Sequence, residues 1–278
     1  MDKKNKLLSV LGFIVLLFMA VAFLFPVFIV LMNSFKTKFN ISTAPFSLPT
    51  QETFAGIENY IEGITATDFP MAFFWSLFIT LLSVGAILFF TSMTAWYIVR
   101  SKGAFSKIFY YLLLFSMIVP FQMVMFTMSK MANILMLDNP LGLVVVYLGF
   151  GAGLSTFMFC GFIKSIPIGI EEAATIDGCN PIQTFFWVVL PLLKPTAITI
   201  AILDTMWIWN DYLLPYLTVG NEYKTIPIAV QYLKGGYGSV DMGAMMAMLV
   251  LSIIPVVLFY LFCQKYIIKG VASGAIKG

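Results

Sequence analysis

Carboxylates stand out in this chain because charged side chains are scarce. Only 10% of its residues are charged and 60% are hydrophobic, whereas soluble domains carry about 25% charged residues. Glu171, Glu172 and Asp177 lie in a polar segment, and Asp204 and Asp211 follow in an apolar run. Exposed carboxylates accept charge-assisted hydrogen bonds from basic partners. An ionisable group at membrane depth is a functional candidate by default.

The residues that most enzymes rely on are missing from the sequence. The chain has no histidine, and its three cysteines, Cys160, Cys179 and Cys263, suggest packing residues rather than a disulfide framework or a metal site. The glycines after Gly270 do not have the spacing of a phosphate loop, and no Gly-x-Ser-x-Gly elbow occurs. We therefore predict no catalytic residue, no metal site and no nucleotide site in this chain.

Six long apolar runs determine the predicted architecture. Each is long enough to cross a hydrocarbon core of ~30 Å, which takes about 20 helical residues, and their uniform apolarity favours helices over barrel strands. The first run is longer than the roughly 7–15 residues of a signal peptide core. We expect an all-α membrane protein with six transmembrane helices. The runs cover residues 7–33, 71–99, 108–129, 141–163, 194–218 and 242–263.

Basic residues predict the sidedness of these helices. With six crossings, both termini lie on one side, and that side receives eleven of the sixteen lysines and arginines. The positive-inside rule then places both termini and the segment 171–191 in the cytoplasm. We divide the chain into a first transmembrane helix with an external loop, 1–70, and a core, 71–278, with a cytoplasmic tail. The loop at 34–70 is open to two interpretations, an external contact or a linker.

The segment 171–191 has the residues of two short helices joined by a sharp turn. Gly178 suits the left-handed conformation that ends a helix. Asn180 is a good N-cap, Pro181 fits the first helical position, and Gln183 stands where the partner in a capping box would be. The pattern therefore predicts a short, rigid cytoplasmic helix held by a turn against a second helix.

Three motifs resemble one family along essentially the whole chain. Glu172-Ala173-Ala174, followed by Gly178, is similar to the EAA loop of permeases in ABC importers. The other two motifs resemble the carbohydrate-uptake branch of that family, the maltose and multiple-sugar type. They are Trp207-Ile208-Trp209-Asn210-Asp211-Tyr212-Leu213-Leu214-Pro215 and the C-terminal segment 264–278.

This resemblance implies a type I ABC importer permease with a cytoplasmic coupling helix. Such a chain forms half of a sugar path in the bacterial inner membrane, and a second homologous permease supplies the other half. Two ATPase subunits hold ATP and magnesium, an external solute-binding protein delivers the sugar, and nucleic acid has no role. The residues that would couple to the ATPase are Glu171, Glu172, Ala173, Ala174, Asp177 and Gly178.

A substrate path is predicted along the fifth run. Asp204, Trp207 and Asp211 are three and four residues apart, so they share one face of a helix. Aromatic rings stack on the C–H faces of sugars, and carboxylates bind hydroxyls. Asn210 and Gln122 complete the candidate set. The alternative for Trp207 is an aromatic belt at the membrane surface, and for Asp211 simple exposure at the helix end.

An ion-coupled secondary transporter is the main alternative function. Proton relays often use intramembrane histidine or glutamate, but this chain has no histidine, and its glutamates lie in the predicted loops. A membrane-embedded enzyme is a second alternative, against which the missing catalytic motifs argue.

Overall fold

The protein is almost entirely helical. The computed structural model describes residues 3–101, 103–233 and 241–275, with side chains over 9–101, 103–233 and 241–266. The helices are α1 (Lys3–Asn33), α2 (Lys38–Thr43), α3 (Glu58–Thr67), α4 (Phe69–Arg100), α5 (Ala104–Ile118), α6 (Phe121–Ile134), α7 (Pro140–Ile163), α8 (Gly169–Ile176), α9 (Pro181–Gln183), a π-helical stretch (Thr184–Val189), α10 (Leu190–Leu192), α11 (Lys194–Asn210), α12 (Leu213–Thr218), α13 (Ile226–Tyr232) and α14 (Met242–Ala275).

Four of the predicted runs form single helices that can cross a membrane. Within the described residues these are Ser9–Asn33, Phe69–Arg100, Pro140–Ile163 and Met242–Tyr266. Two further pairs, Ala104–Ile118 with Phe121–Ile134 and Pro181–Leu192 with Lys194–Asn210, bring the number of spans to six if each pair counts as one. The helical membrane fold is confirmed.

The third and fifth runs differ from straight helices. The third bends by 107° between α5 and α6, because Pro120 cannot continue the hydrogen-bond ladder and holds the preceding Val119 in an extended conformation, with ψ 115°. In the fifth run, Asp211 is extended, with ψ 124°, and separates α11 from α12. The segment before α11 is bent from it by 73°.

One compact unit comprises residues 1–70 and 229–255. In this unit, the segment that follows α1 folds around Lys36, whose side chain is fully buried. The Lys36 ammonium donates to the carbonyl of Ala44 at 2.9 Å and to the hydroxyl of Ser47 at 3.3 Å. Helix α3 begins at Glu58 within this segment and buries Asn59.

The second unit comprises residues 71–228 and 256–278 and contains all the candidate site residues. Two apolar clusters form its core, one around Phe159 and Phe185 and the other around Ile87 and Tyr147. Helices α5 and α7 approach so closely that a Cβ at Gly153 would lie 2.7 Å from the carbonyl oxygen of Leu113. Small residues permit such contacts between membrane helices.

Candidate functional site

Helix α8 ends in a fully hydrogen-bonded turn. Gly178 has a positive φ of 89°, a conformation that a glycine adopts without strain. Its amide donates to the carbonyl of Thr175 at 3.1 Å, and the Cys179 amide donates to Ala174 at 3.0 Å. These two bonds are those of a Schellman motif, so the predicted helix stop at Gly178 is confirmed.

The next helix begins immediately after this stop. The Asn180 side chain accepts from the Gln183 amide at 2.9 Å, and the Gln183 side chain accepts from the Asn180 amide at the same distance. This reciprocal pair is the predicted capping box, with Pro181 in the first turn. The hydrogen-bonded turn that ends α8 is therefore followed directly by the capping box that starts α9.

Glu171 fastens α8 to the end of α4. Its Oε1 accepts from Arg100 Nε at 2.8 Å and lies 2.7 Å from Arg100 Nη2. Its Oε2 accepts from Trp96 Nε1 at 2.9 Å. Arg100 Nη2 also donates to the carbonyl of Ile166 at 3.1 Å, in the loop between α7 and α8. One ion pair thus joins the end of α4, the loop between α7 and α8, and α8 itself.

The predicted coupling residues divide into two groups. Glu171 and Ala174 are each 8% exposed and face the interior of this chain. Glu172, Ala173, Asp177 and Gly178 are exposed. Ile176 joins the exposed group with 86% of its surface accessible, although it is a large apolar residue. The outer face of α8 therefore combines acidic, small and apolar groups.

The candidates of the fifth run face helix α7. Asp204 is buried and accepts from the Ser155 hydroxyl at 3.2 Å. Asp211 accepts from the Tyr147 hydroxyl at 3.1 Å. The indole of Trp207 stands edge-on to Tyr147, with ring centroids 5.4 Å apart. Asp204, Trp207 and Asp211 therefore share one helix face, as predicted. That face is directed largely toward α7 in the interior of the chain.

A cleft of about 160 Å³ collects three of the five path candidates. Gln122, Trp207 and Asp211 line it together with Phe121 and Phe150. Asp204 does not line it, and the exposed Asn210 instead donates its side-chain amide to the Met206 carbonyl at 2.7 Å. The cleft offers aromatic walls, one carboxylate and one amide.

Sequence reasoning missed Arg100, Trp96 and Tyr147, which hold the acidic candidates in place. A clue was available for Arg100, since it is the only arginine in the chain. Arginine is preferred over lysine where a buried carboxylate must be held by several donors. Tyr147 lies in a uniformly apolar run and gave no comparable clue.

Comparison with protein families identifies the class. Residues 87–273 match the family described as binding-protein-dependent transport system inner membrane component. The chain belongs to this family. It is therefore a permease subunit, and its multi-pass helical fold is that of an inner membrane component. The matched range contains α8, the turn at Gly178 and the cleft.

Relatives of this permease cover its whole length. It is 38% identical to the probable starch degradation products transport system permease protein AmyC of Thermoanaerobacterium thermosulfurigenes, over 98% of this chain and 96% of the relative. It is 33% identical to the multiple sugar-binding transport system permease protein MsmG of Streptococcus mutans, over all of both chains.

A solved structure has the same fold. A chain of a bacterial ABC transporter involved in the import of the acidic polysaccharide alginate aligns with a TM-score of 0.79 at 23% identity, covering 96% of this permease and 98% of that chain. The type I permease fold, which the sequence predicted, is confirmed.

Proposed function

We propose that this permease forms half of the path of an ATP-driven importer of sugars or oligosaccharides. A second homologous permease completes the path, two ATPase subunits bind α8 and its counterpart, and an external solute-binding protein delivers the substrate. The names of the relatives support the substrate class, since one transports starch degradation products and another multiple sugars. A related alginate transporter is known in complex with a pentasaccharide-bound periplasmic protein.

The rigid mounting of α8 is the observation that carries this proposal. A short helix transmits force only if it cannot move independently of the helices behind it. Here the turn at Gly178 and the Glu171–Arg100 pair hold α8 from both sides. Its outer face presents Glu172 to basic residues of the ATPase and Ile176 to an apolar groove there.

The cleft supports a saccharide as substrate. The ring of Trp207 offers a stacking surface, and Asp211 and Gln122 offer hydrogen-bonding groups to hydroxyls. Its volume of about 160 Å³ is smaller than the ~300–1,000 Å³ of typical ligand sites. The second permease would supply the remaining wall, so that the sugar is enclosed between two subunits.

In this proposal, transport proceeds by alternating access, in which the path opens to one side of the membrane at a time. ATP and magnesium bind to the partner ATPases, whose closure moves the two coupling helices. The permease halves then rock and open the path outward to receive the sugar, and hydrolysis returns the path to the inward state. The distribution of basic residues supports a cytoplasmic location for both termini and α8, which is the side where ATP is present.

Reversal of the Glu172 charge tests this function. The complex of both permeases, two ATPase subunits and the binding protein is reconstituted in vesicles, and uptake of starch hydrolysate, raffinose and leucine is measured alongside ATP hydrolysis. We expect saccharide uptake without leucine uptake in the wild type. In Glu172→Lys, uptake falls while hydrolysis continues, because the repelled helix no longer follows the ATPase.

Glu62→Lys is the matched control, since Glu62 is also an exposed helical carboxylate but lies in the external segment. It is expected to retain wild-type uptake. Wild-type coupling in Glu172→Lys would refute the docking role, and uptake of leucine alone would refute the saccharide class.

A further inference from the structure

A second, larger cleft lies at the end of the membrane helices that faces the cytoplasm in the proposed orientation. It has a volume of about 610 Å³ and is formed where α4 and α7 end and α5 begins. Three spans therefore contribute to it at the same depth. In the proposed orientation this depth is that of the polar lipid head groups, because the cleft surrounds the terminal turns of α4, α5 and α7.

The walls of this cleft are amphipathic. Lys107 and Lys164 line it, and both side chains are exposed. The Lys164 ammonium lies 5.8 Å from the centre of the Tyr110 ring, which keeps its charge close to the cleft. Val99 and Cys160 provide an apolar wall, and no carboxylate is present among the described residues that line the cleft.

Ser106 provides an independent observation. It lines the cleft and is only 1% exposed, yet its hydroxyl has no hydrogen-bond partner among the residues that the structure describes. Most buried hydroxyls are paired, and among the unpaired ones of the described residues Ser106 is the one that lines this cleft. A ligand with several acceptor oxygens would provide its hydroxyl with a partner.

We propose that this cleft binds the phosphate head group of an anionic phospholipid from the adjacent leaflet. Basic pockets between transmembrane helices on the cytoplasmic side bind anionic head groups in this way. The two lysines neutralise the phosphate, Ser106 donates to one of its oxygens, and an acyl chain follows the apolar wall past Val99. The site is separate from the sugar cleft and from the outer face of α8.

Native mass spectrometry of the intact importer complex in nanodiscs of phosphatidylglycerol and phosphatidylcholine tests the proposal. The wild-type complex is expected to retain phosphatidylglycerol after transfer to a neutral detergent. The double variant Lys107→Gln/Lys164→Gln is expected to bind it about 25-fold more weakly, because each lysine near the surface contributes about fivefold. Ser106→Ala is expected to show a smaller loss.

Lys194→Gln is the matched control, because it removes an exposed lysine from the same predicted side of the membrane but outside the cleft. It is expected to retain the lipid as the wild type does. Equal retention in the double variant and the wild type would overturn the proposal, as would equal loss in Lys194→Gln.

A second arm separates a lipid from free phosphate. The delipidated complex is titrated with inorganic phosphate and, in parallel, with short-chain phosphatidylglycerol. Saturable binding of the lipid that is lost in Lys107→Gln/Lys164→Gln supports the proposal. Binding of inorganic phosphate with equal or greater affinity would overturn the lipid as ligand, and binding of neither would overturn the site.

Discussion

The region around α8 and the cleft beside α11 differ in how completely their side chains are paired. Around α8, Glu171 has partners for both oxygens, and the turn at Gly178 satisfies its own backbone. In the cleft, Trp207 remains 40% exposed and Gln122 is exposed as well. The polar groups around α8 are paired within the chain, whereas part of the lining of the cleft remains exposed.

This difference indicates how the two tasks are divided. In the proposed function, force transmission requires a helix whose position is fixed before an ATPase binds, so its supports belong to the same chain. Substrate binding in a path between two subunits, as proposed for the cleft, requires groups that stay accessible. We therefore expect damage to the region around α8 to affect the whole permease, and damage to the cleft to affect affinity alone.

Loss of Arg100 is expected to have the largest effect. Arg100→Ala leaves the Glu171 carboxylate buried without its cation, and removal of one partner from a buried pair costs about 3–5 kcal/mol. We expect a lower temperature of unfolding for the purified complex and loss of coupled uptake, measured by thermal denaturation and by vesicle transport.

The charge-swapped variant Arg100→Glu/Glu171→Arg sharpens this experiment. Recovery of part of the stability relative to either single change would show that the pair itself is responsible. If Arg100→Ala unfolded and transported like the wild type, the contrast between a rigid end and an open cleft would be wrong.

Gly178→Ala is expected to have an intermediate effect. Gly178 has a positive φ of 89°. An alanine at this position would have to adopt the same conformation, which costs a non-glycine residue about 1–2 kcal/mol. No atom lies within 4 Å of the added Cβ, so the cost is purely conformational. We expect a reduced ratio of uptake to ATP hydrolysis in vesicles. Gly169→Ala, also without a neighbour within 4 Å but at a helical position, should leave the ratio unchanged.

Trp207→Ala is expected to have the smallest effect. It removes the aromatic wall of the cleft and the edge-on contact with Tyr147, and such a contact is worth about 0.5–1.5 kcal/mol. The substrate concentration for half-maximal uptake should rise about fivefold, while the unfolding temperature and basal hydrolysis stay close to wild type. Failure of the Trp207→Ala complex to assemble would instead show that Trp207 has a structural role.

The sequence predicted most of the local structure and much less of the side-chain pairing. The stop at Gly178 and the capping box at Asn180 follow from backbone rules that act within four residues, so both were predictable. The bond between Glu171 and Arg100 joins residues 71 positions apart, and no local pattern encodes it. The burial of Asp204 against Ser155 depends likewise on the packing of two distant helices.

Lys36 has a practical consequence for attaching a label to this protein. Its buried ammonium, with a pKa lowered by burial, ties residues 36–47 into a closed loop through Ala44 and Ser47. An epitope placed inside that loop would separate the ammonium from its acceptors. Leu48 and Thr50 are exposed and lie beyond them, and exposed loop tips tolerate insertions. An antibody directed there would report on intact cells which face of the membrane the segment occupies.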